Sequence, residues 1–179
     1  NKITAPDTTT YEMPYAVVVS DAAGNPVEGA AVTVSYRPLR FIKGSYLDED
    51  NKWAYTATAF CPSEDTDQDG VLSPAEDAAG DGDGVLEPSN VATVYVTTPG
   101  GKTDATGFAL LGIKYPQGFS NWATIELQVT ITGTSGSEVK TSRAIDLVPL
   151  ASDIAGTTIS PPGGIHSPFG RTADCRDPN

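Results

Sequence analysis

The sequence predicts an all-β protein, an antiparallel β-sandwich of about seven short strands with an acidic loop insertion and an extended tail at each end. Apolar and polar residues alternate in several segments, which is the period of a half-buried strand. Turn-forming glycines and prolines separate these segments, and none of them has the longer period of an amphipathic helix. With 179 residues, 39% of them hydrophobic, the chain can bury the core of one domain.

Three segments before residue 61 have the strand pattern. Odd positions are apolar from Tyr11 to Val19 with Pro14 on the opposite face, which predicts an edge strand. Alternation returns from Val32 to Tyr36 and again from Trp53 to Ala59. Residues 37–52 have no clear pattern, and we expect a short edge strand and a loop there.

Further strands are predicted after residue 90. They run from Val91 to Thr97, from Phe108 to Tyr115, from Ala123 to Ile131 and from Val139 to Val148. The last two are expected to form a hairpin through residues 133–138. A single helical turn is predicted, from Pro74 to Ala79.

These segments divide the chain into three parts. Residues 1–14 are an extended segment, residues 15–150 are the sandwich with an insert at 61–90, and residues 151–179 are a tail rich in proline and glycine. Within the tail, only Asp153 to Ser160 has β character. A tail of this length is expected to be disordered unless it docks on the domain.

The insert carries most of the charge of the protein. Residues 61–90 hold nine carboxylates and no Lys or Arg, whereas the rest of the chain has fourteen acids and eleven bases. The acidity is therefore local, as ion binding requires. A chain with net charge −12 and no basic stripe is not expected to bind nucleic acid. No apolar run approaches the length of a membrane span.

The first half of the insert fits the twelve-residue calcium loop, in which oxygen ligands alternate along the chain and a glycine makes a sharp turn. Gly70 falls at that turn, where a positive φ is needed. Val71 would contribute its main-chain carbonyl, Ser73 would bind directly or through water, and Glu76 would bind with both carboxylate oxygens. The predicted ligands are Asp65, Asp67, Asp69, Val71, Ser73 and Glu76.

The pattern returns fourteen residues later as a second copy. When the copy is aligned on Gly84, its first ligand position falls on Ala79, which has no side-chain donor. Asp77, or a second contact from Glu76, could fill that position. The other predicted ligands of the copy are Asp81, Asp83, Val85, Glu87 and Asn90. The alternative is a glycine-rich turn that binds no ion and whose acidic side chains only keep it exposed to solvent.

Ca²⁺ is the predicted ion, one at the first loop and a second at the copy, because it accepts six to eight oxygen ligands at flexible geometry. Zinc prefers His and thiolate ligands, and the chain has one histidine, His166. Long amphipathic helices do not flank the loops, so a structural role is predicted rather than the opening of a helix pair. The alternative is a solvated acidic loop without an ion.

The two cysteines, Cys61 and Cys175, are compatible with one disulfide that joins the base of the insert to the tail. Two buried free thiols are the alternative. Disulfides persist in oxidising compartments, and structural calcium loops need the high calcium concentration found outside cells. The first residue is Asn rather than Met, which suits a processed, exported protein or a piece cut from a longer one. We therefore expect an extracellular protein.

The chain has two turn motifs, formed by Asp21, Gly24, Pro26, Val27, Gly29, Ala30 and Val32 and, later, by Thr103, Asp104 and Gly107. These motifs resemble those of the bacterial immunoglobulin-like (Ig-like) domains of surface proteins, including the invasin and intimin type. The resemblance covers about residues 15–148 and implies an Ig-like sandwich on a bacterial cell surface. The insert and both tails depart from the simple family pattern. Envelope proteins with Asp-Gly calcium inserts and a late Pro-Phe-Gly and Cys, here Pro168 to Gly170 and Cys175, look similar.

No catalytic motif is recognisable, because the chain lacks a nucleophile elbow, a phosphate-binding glycine loop and a base beside its serines. Our first hypothesis is a non-enzymatic subunit of a bacterial surface filament or pilus-like appendage. Copies of the chain, or other surface proteins, would join when a tail adds a strand to a neighbour's sheet. Lys2 to Tyr15 is the expected donor, and Asp153 to Ser160 is the second choice. The alternative is an adhesin module that binds a glycan or a host protein.

Overall fold

A computed structural model describes residues 2–133 and 136–179. These residues form β1 Thr10–Val18, β2 Ala31–Glu49, β3 Lys52–Pro62, α1 Pro74–Ala79, β4 Thr93–Val96, β5 Phe108–Pro116, β6 Ala123–Thr132 and β7 Glu138–Asp146. Short 3-10 helices lie at Pro99–Gly101, Gln117–Phe119 and Ala151–Ile154. The predicted helical turn is therefore confirmed as α1.

The strands make two sheets in which every pair is antiparallel, with the orders β1-β5-β4 and β3-β2-β6-β7. The apolar faces of the sheets form one core, which confirms the predicted all-β sandwich. The central strands β5 and β6 supply many of its buried side chains, which include Leu111, Ile113, Tyr115, Ile125, Leu127 and Val129. Burial of such side chains is the main driving force for folding.

Strand β1 is an edge strand, as the sequence predicts. Tyr11 and Met13 are buried and Tyr15 is half-buried, whereas Pro14 between them is exposed. The odd-numbered residues of β1 bond to β5. This follows from Val19, directly after the strand, whose amide bonds to the carbonyl of Gly107 at 2.8 Å, because only alternate residues of an antiparallel strand bond to the same neighbour. Pro14 therefore sits where a strand amide would point away from the sheet, and its missing N–H breaks no ladder bond.

The expectation of a short edge strand and a loop at residues 37–52 is wrong. Strand β2 continues to Glu49 and turns directly into β3, with Glu49 opposite Lys52. The turn residues Asp50 and Asn51 have φ of 53° and 60°, which is the left-handed pair that a two-residue hairpin requires. Asp and Asn tolerate this conformation better than other non-glycine residues, so this dipeptide was the signal for the hairpin.

Strand β2 is long because it changes partner. Residues 31–41 pair with β6 and residues 40–49 pair with β3. Register shifts at Pro38/Arg40 and Lys43/Gly44 accompany the change, and such bulges bend a strand. The second half of β2 therefore leaves the edge opposite β3 open to another segment of the chain.

The other predicted strands are present with modest changes in length. Strand β4 is shorter than predicted, and β7 ends at Asp146 rather than at Val148. The predicted β6–β7 hairpin is present, with the amide of Gly133 bonded to the carbonyl of Ser137 at 2.8 Å. Residues 134 and 135 of its turn lie outside the described residues.

The two turn motifs adopt tight turns. The carboxylate of Asp21 accepts bonds from the amides of Ala23 and Asn25, and Asp104 accepts bonds from Thr106 and Phe108. Gly107 has φ of 76°, and a Cβ there would lie 2.5 Å from the carbonyl oxygen of Val19. Glycine is therefore required at this position both by conformation and by space.

The N-terminal residues fold back over β1. Thr4 and Glu12 exchange two main-chain hydrogen bonds of 3.0 and 2.8 Å. Asp7 closes the intervening turn, since its carboxylate accepts bonds from the amides of Thr9 and Thr10 at 2.8 Å each. Strand β1 itself begins at Thr10, within the predicted N-terminal segment, and pairs with β5 of its own chain.

The predicted β character of Asp153 to Ser160 is wrong. The first two of these residues end the 3-10 helix Ala151–Ile154, and the others follow it without forming a strand. Side chains from the sandwich fix them instead. The hydroxyl of Tyr11 donates to Asp153 at 2.5 Å, and the indole N–H of Trp53 donates to the carbonyl of Ile159 at 2.7 Å. Strand propensity has no effect on a segment that finds no free strand to pair with.

The last part of the tail occupies the open edge of β2. The amide of Tyr46 bonds to Ile165, and Gly44 bonds to both Ser167 and Gly170 through the main chain. Phe169 is 6% exposed and stacks on Phe119 with ring centroids 5.7 Å apart. The tail is therefore docked as an extra, irregular edge of the larger sheet.

A buried lysine lies beneath the tail. Lys43 of β2 is 0% exposed, and its ammonium group donates to the main-chain carbonyls of Asp174 and Asp177. A buried charge is costly unless such partners replace its water. The tail therefore supplies the solvation that Lys43 loses on folding.

The predicted disulfide is confirmed. Cys61 at the end of β3 is bonded to Cys175 in the tail, with 5.5 Å between their Cα atoms. The bond joins the base of the acidic insert to the segment that covers Lys43. Among the described residues, no helix is long and apolar enough to cross a membrane.

Removal of the disulfide should free the tail. We expect the double variant Cys61→Ala and Cys175→Ala to lose about 2–5 kcal/mol of unfolding free energy, because the unfolded chain regains the entropy of an open loop. Denaturant unfolding would measure the loss, and trypsin should cut faster after Arg171. Reductant should change the wild-type protein but not the variant. Equal unfolding midpoints for the two proteins would contradict this account.

Stability should also fall in acid because of one ion pair. Arg37 donates to Glu126 at 2.6 Å, and bonds from Arg37 and Gln128 lower the pKa of Glu126 from 4.5 to about 2. Because the pKa of Glu126 is lower in the folded protein than in the unfolded chain, the ion pair stabilises the fold at any pH above the unfolded pKa of 4.5. This contribution disappears as the pH falls towards the folded pKa of about 2.

We therefore expect Glu126→Gln to lose about 1 kcal/mol at neutral pH and to match the wild-type protein near pH 2. Urea unfolding at several pH values would test this. The matched control is Glu138→Gln, whose exposed pair with Lys140 should contribute almost nothing. A constant difference between Glu126→Gln and the wild-type protein at all pH values would contradict the assignment.

Candidate metal centre

The acidic insert leaves the sandwich between β3 and β4 and is closed at its base. The amide of Ser63 bonds to the carbonyl of Leu39 at 3.0 Å, and the amide of Glu64 bonds to the carbonyl of Glu87 at 2.9 Å. Val91, which follows the insert, is completely buried. The insert therefore starts and ends at fixed points, so its two loops have little freedom to separate.

The first loop brings three of its predicted ligands together. Asp65, Asp67 and Glu76 each offer a carboxylate oxygen, and these oxygens lie within 4.8 Å of one another. The carboxylate of Asp65 accepts the amides of Asp69 and Gly70 at 3.1 Å each, which curls the loop around it. Gly70 has φ of 79°, as the predicted sharp turn requires.

Glu76 links this loop to α1. It is 7% exposed and takes part in a capping box with Ser73, in which each residue accepts a bond from the amide of the other. Its other oxygen accepts the amide of Thr66 at 2.8 Å. Bonds from Ser73 and Thr66 lower the pKa of Glu76 to about 2, so the carboxylate is charged at neutral pH.

Other predicted ligands of the first loop have different positions. Asp69 lies outside the three-carboxylate group, and its side chain accepts the amide of Val71 at 2.7 Å. The hydroxyl of Ser73 is used as the cap of α1. Val71 has no side-chain donor, so only its carbonyl would be a ligand, and its side chain is 63% exposed.

The second loop forms a separate group of three carboxylates. Oxygens of Asp77, Asp81 and Asp83 lie within 4.8 Å of one another. The carboxylate of Asp77 accepts the amide of Gly84 at 2.8 Å, as Asp65 does with Gly70 in the first loop. Of the two residues that could replace the missing ligand at Ala79, Asp77 has this position, whereas Glu76 belongs to the first group.

Glu87 lies half-buried beside the second group. Burial and the nearby charges of Asp81, Asp83 and Glu64 raise its pKa to about 7. Oδ2 of Asp81 and Oε2 of Glu87 are buried, and neither has a hydrogen-bond partner within the described part of the chain. Buried carboxylate oxygens are costly without a partner, and a bound cation would supply one. The residues present therefore fit a metal ion.

The other two predicted ligands of the second loop are Val85 and Asn90. Val85 has no side-chain donor, so only its carbonyl would be a ligand, and its side chain is 53% exposed. Asn90 has φ of 51° and lines a cavity of about 310 Å³ together with Asp65 and Asp69 of the first loop. Asn90 therefore contacts the cavity beside the first loop, although the alignment assigned it to the second.

Sequence spacing missed Glu64, the most buried acid of the insert. It precedes Asp65, is 6% exposed, and its carboxylate accepts amides of the second loop. A position before the first ligand has no role in the calcium-loop pattern, so nothing in the spacing indicated it.

Both groups offer only oxygen donors, and neither includes His or Cys. Hard cations prefer such donors. The arrangement can hold a metal ion at two places, and α1 links them because its adjacent residues Glu76 and Asp77 each join one group.

Comparisons with protein-family models, with curated proteins and with solved structures found no match for this chain.

Proposed function

We propose that this chain is a non-enzymatic structural subunit that works outside the cell and that Ca²⁺ makes its acidic insert rigid. The observation that carries the proposal is the pair of three-carboxylate groups, together with oxygens of Asp81 and Glu87 that are buried without hydrogen-bond partners in the described part of the chain. A protein that binds an ion only for structure needs these features and no reactive group.

The ligand set favours Ca²⁺ over other biological cations. Ca²⁺ accepts many oxygen ligands at flexible geometry, as two irregular acidic loops with carbonyl donors would provide. Mg²⁺ demands near-octahedral geometry and keeps several waters, and Zn²⁺ prefers nitrogen and sulfur. Asp65, Asp67 and Glu76 would hold the first ion, and Asp77, Asp81 and Asp83 the second.

The insert is better suited to rigidity than to switching. Its helix α1 has six residues and is fixed at its start by the Ser73–Glu76 capping box. A calcium sensor needs two long helices that change their angle. The disulfide at the base of the insert further restricts movement and supports an extracellular location, since such bonds persist in oxidising compartments. The proposal also places the protein on a bacterial cell surface and in the Ig-like family, and the two turn motifs are the support for this part.

Assembly by strand addition would use the free edge of β7. The odd-numbered residues of β7 bond to β6. This follows from the bonds at the two ends of the pair, Gly133 with Ser137 and Leu147 with Ala123, because only alternate residues of an antiparallel strand bond to the same neighbour. The even-numbered amides, including that of Ala144, therefore point away from the sheet. Eight of the nine residues of β7 are exposed, so a neighbouring strand can reach this edge.

The edge of β1 is less suitable for strand addition, because Thr4 already pairs with Glu12 and Pro14 lacks an amide. A groove of about 310 Å³ separates this strand from β7. Tyr15, Val17, Leu127 and Val129 line it, which would give an added strand an apolar surface. The N-terminal donor would have to leave its own sheet, so donation would be an exchange of β1 between copies.

An adhesin remains the second candidate, favoured by two exposed aromatic rings on the larger sheet. Phe60 is 58% exposed with the guanidinium of Arg40 5.3 Å from its ring centre, and Tyr55 is 37% exposed. Exposed rings beside a charged side chain such as Arg40 can stack on sugars. Trp122 is 1% exposed and so cannot.

Removal of calcium should loosen the insert before the sandwich. Without the ion, the carboxylates of residues 61–90 repel one another, so we expect the insert to open first. Because this segment has no Lys or Arg, a glutamate-specific protease is the suitable probe. Cleavage there should be slow in Ca²⁺ and at least ~10-fold faster in chelator, in keeping with a local opening of ~1.4 kcal/mol or more.

Asp67→Asn should show fast cleavage even in Ca²⁺. The matched control is Asp48→Asn, which neutralises an exposed acid on the β2–β3 hairpin. Equal cleavage of the wild-type insert with and without chelator would contradict the calcium proposal.

Assembly should depend on the free edge of β7. Ala144→Pro removes an amide that points away from β6, so the variant should fold but fail to form the oligomers that the wild-type protein forms in sedimentation experiments. Ala144→Ser is the control and should assemble normally. Normal assembly of the Pro variant would exclude this edge. A wild-type chain that stays monomeric and binds oligosaccharides would favour the adhesin instead.

A further inference from the structure

Glu64 is a buried carboxylate between the two acidic loops. It is 6% exposed and directly precedes Asp65, the first residue of the first three-carboxylate group. It belongs to neither group. A buried acid that is not itself among the grouped carboxylates needs another structural explanation.

The contacts of Glu64 all lead to the second loop. Its Oε1 accepts the amide of Asp81 at 3.2 Å, and its Oε2 accepts the amide of Glu87 at 2.9 Å. Its own amide donates to the carbonyl of Glu87 at 2.9 Å. One residue therefore fixes the main chain at both ends of residues 81–87.

The loop leaves space for this carboxylate. A Cβ at Gly80 would lie 1.9 Å from Oε1 of Glu64. A side chain at Gly80 would therefore displace the carboxylate of Glu64. The sequence before Asp81 is therefore matched to the side chain that binds it.

The side chains of the two fixed residues include the carboxylate oxygens that lack partners. Oδ2 of Asp81 and Oε2 of Glu87 are buried without hydrogen bonds among the described residues. Carboxylates that repel one another would turn towards water if their main chain were free to move. The bonds from Glu64 oppose that movement and keep both oxygens inside the cluster.

We propose that Glu64 is a positioning residue that holds the second loop in its cation-binding form. The proposal rests on the calcium function proposed above. Together with Asp77, Glu64 replaces the ligand that the second loop lacks at Ala79. Asp77 supplies a carboxylate to the group, and Glu64 supplies the hydrogen bonds that orient the loop.

Calorimetric titration with Ca²⁺ tests the proposal. The wild-type protein should show two binding events, and Asp67→Asn should remove the one that belongs to the first loop. Glu64→Ala should weaken the other event about 10–100-fold, as the loss of a residue that orients metal ligands does. The first-loop event should stay within about threefold of its wild-type affinity. Glu64→Gln keeps one acceptor oxygen and should fall between Glu64→Ala and the wild-type protein.

Glu28→Ala is the matched control, since it removes an exposed acid outside the insert and should leave both events unchanged. Gly80→Ala keeps Glu64 but displaces its carboxylate, so it should reproduce Glu64→Ala even if that variant folds poorly. Unchanged second-loop affinity in either Glu64→Ala or Gly80→Ala would overturn the positioning role, as would equal weakening of both events. A wild-type chain that binds no Ca²⁺ would instead overturn the calcium function itself.

Discussion

Repulsion among the carboxylates of the insert is the constraint on which the structure depends. Nine of them lie within thirty residues that contain no Lys or Arg, and three oxygens meet within 4.8 Å at two separate places. Main-chain amides relieve part of this repulsion, as at Asp65 and Glu76. They do not relieve all of it, because the pKa of Glu87 is raised to about 7 and its Oε2 is buried without a hydrogen-bond partner among the described residues. A divalent cation at each group would remove the remaining cost.

The rest of the fold gives this insert a rigid base. The second half of β2 pairs with β3 on one edge and with the tail on the other. The Cys61–Cys175 bond joins β3 to that tail, and Lys43 beneath it lowers the pKa of Glu87 slightly against the larger effects that raise it. Insert, tail and hairpin therefore meet in one corner of the sandwich. Such a support favours ion binding, because a loop that folding has already ordered loses little conformational entropy when it binds an ion.

The period-two pattern was enough to predict most strands, the edge position of β1 and the two-sheet architecture, because burial on one face determines side-chain alternation. It failed at residues 37–52, where β2 changes partner and consecutive residues such as Phe41, Ile42 and Lys43 are all buried, so burial does not alternate there. Loop spacing singled out Asp65, Asp67, Glu76, Asp81 and Asp83, and the fold brings these residues into two groups of carboxylates. The position of Asp77 and the role of Glu64 depend on how the two loops fold against each other, which local spacing does not contain. The docking of Asp153 to Ser160 was likewise decided by distant side chains.

The most direct test of the proposed calcium centre is an anomalous difference map from crystals grown with Ca²⁺. This account predicts one peak among the carboxylates of Asp65, Asp67 and Glu76, and a second among those of Asp77, Asp81 and Asp83. A map without peaks, in which these side chains point away from any common centre, would contradict it.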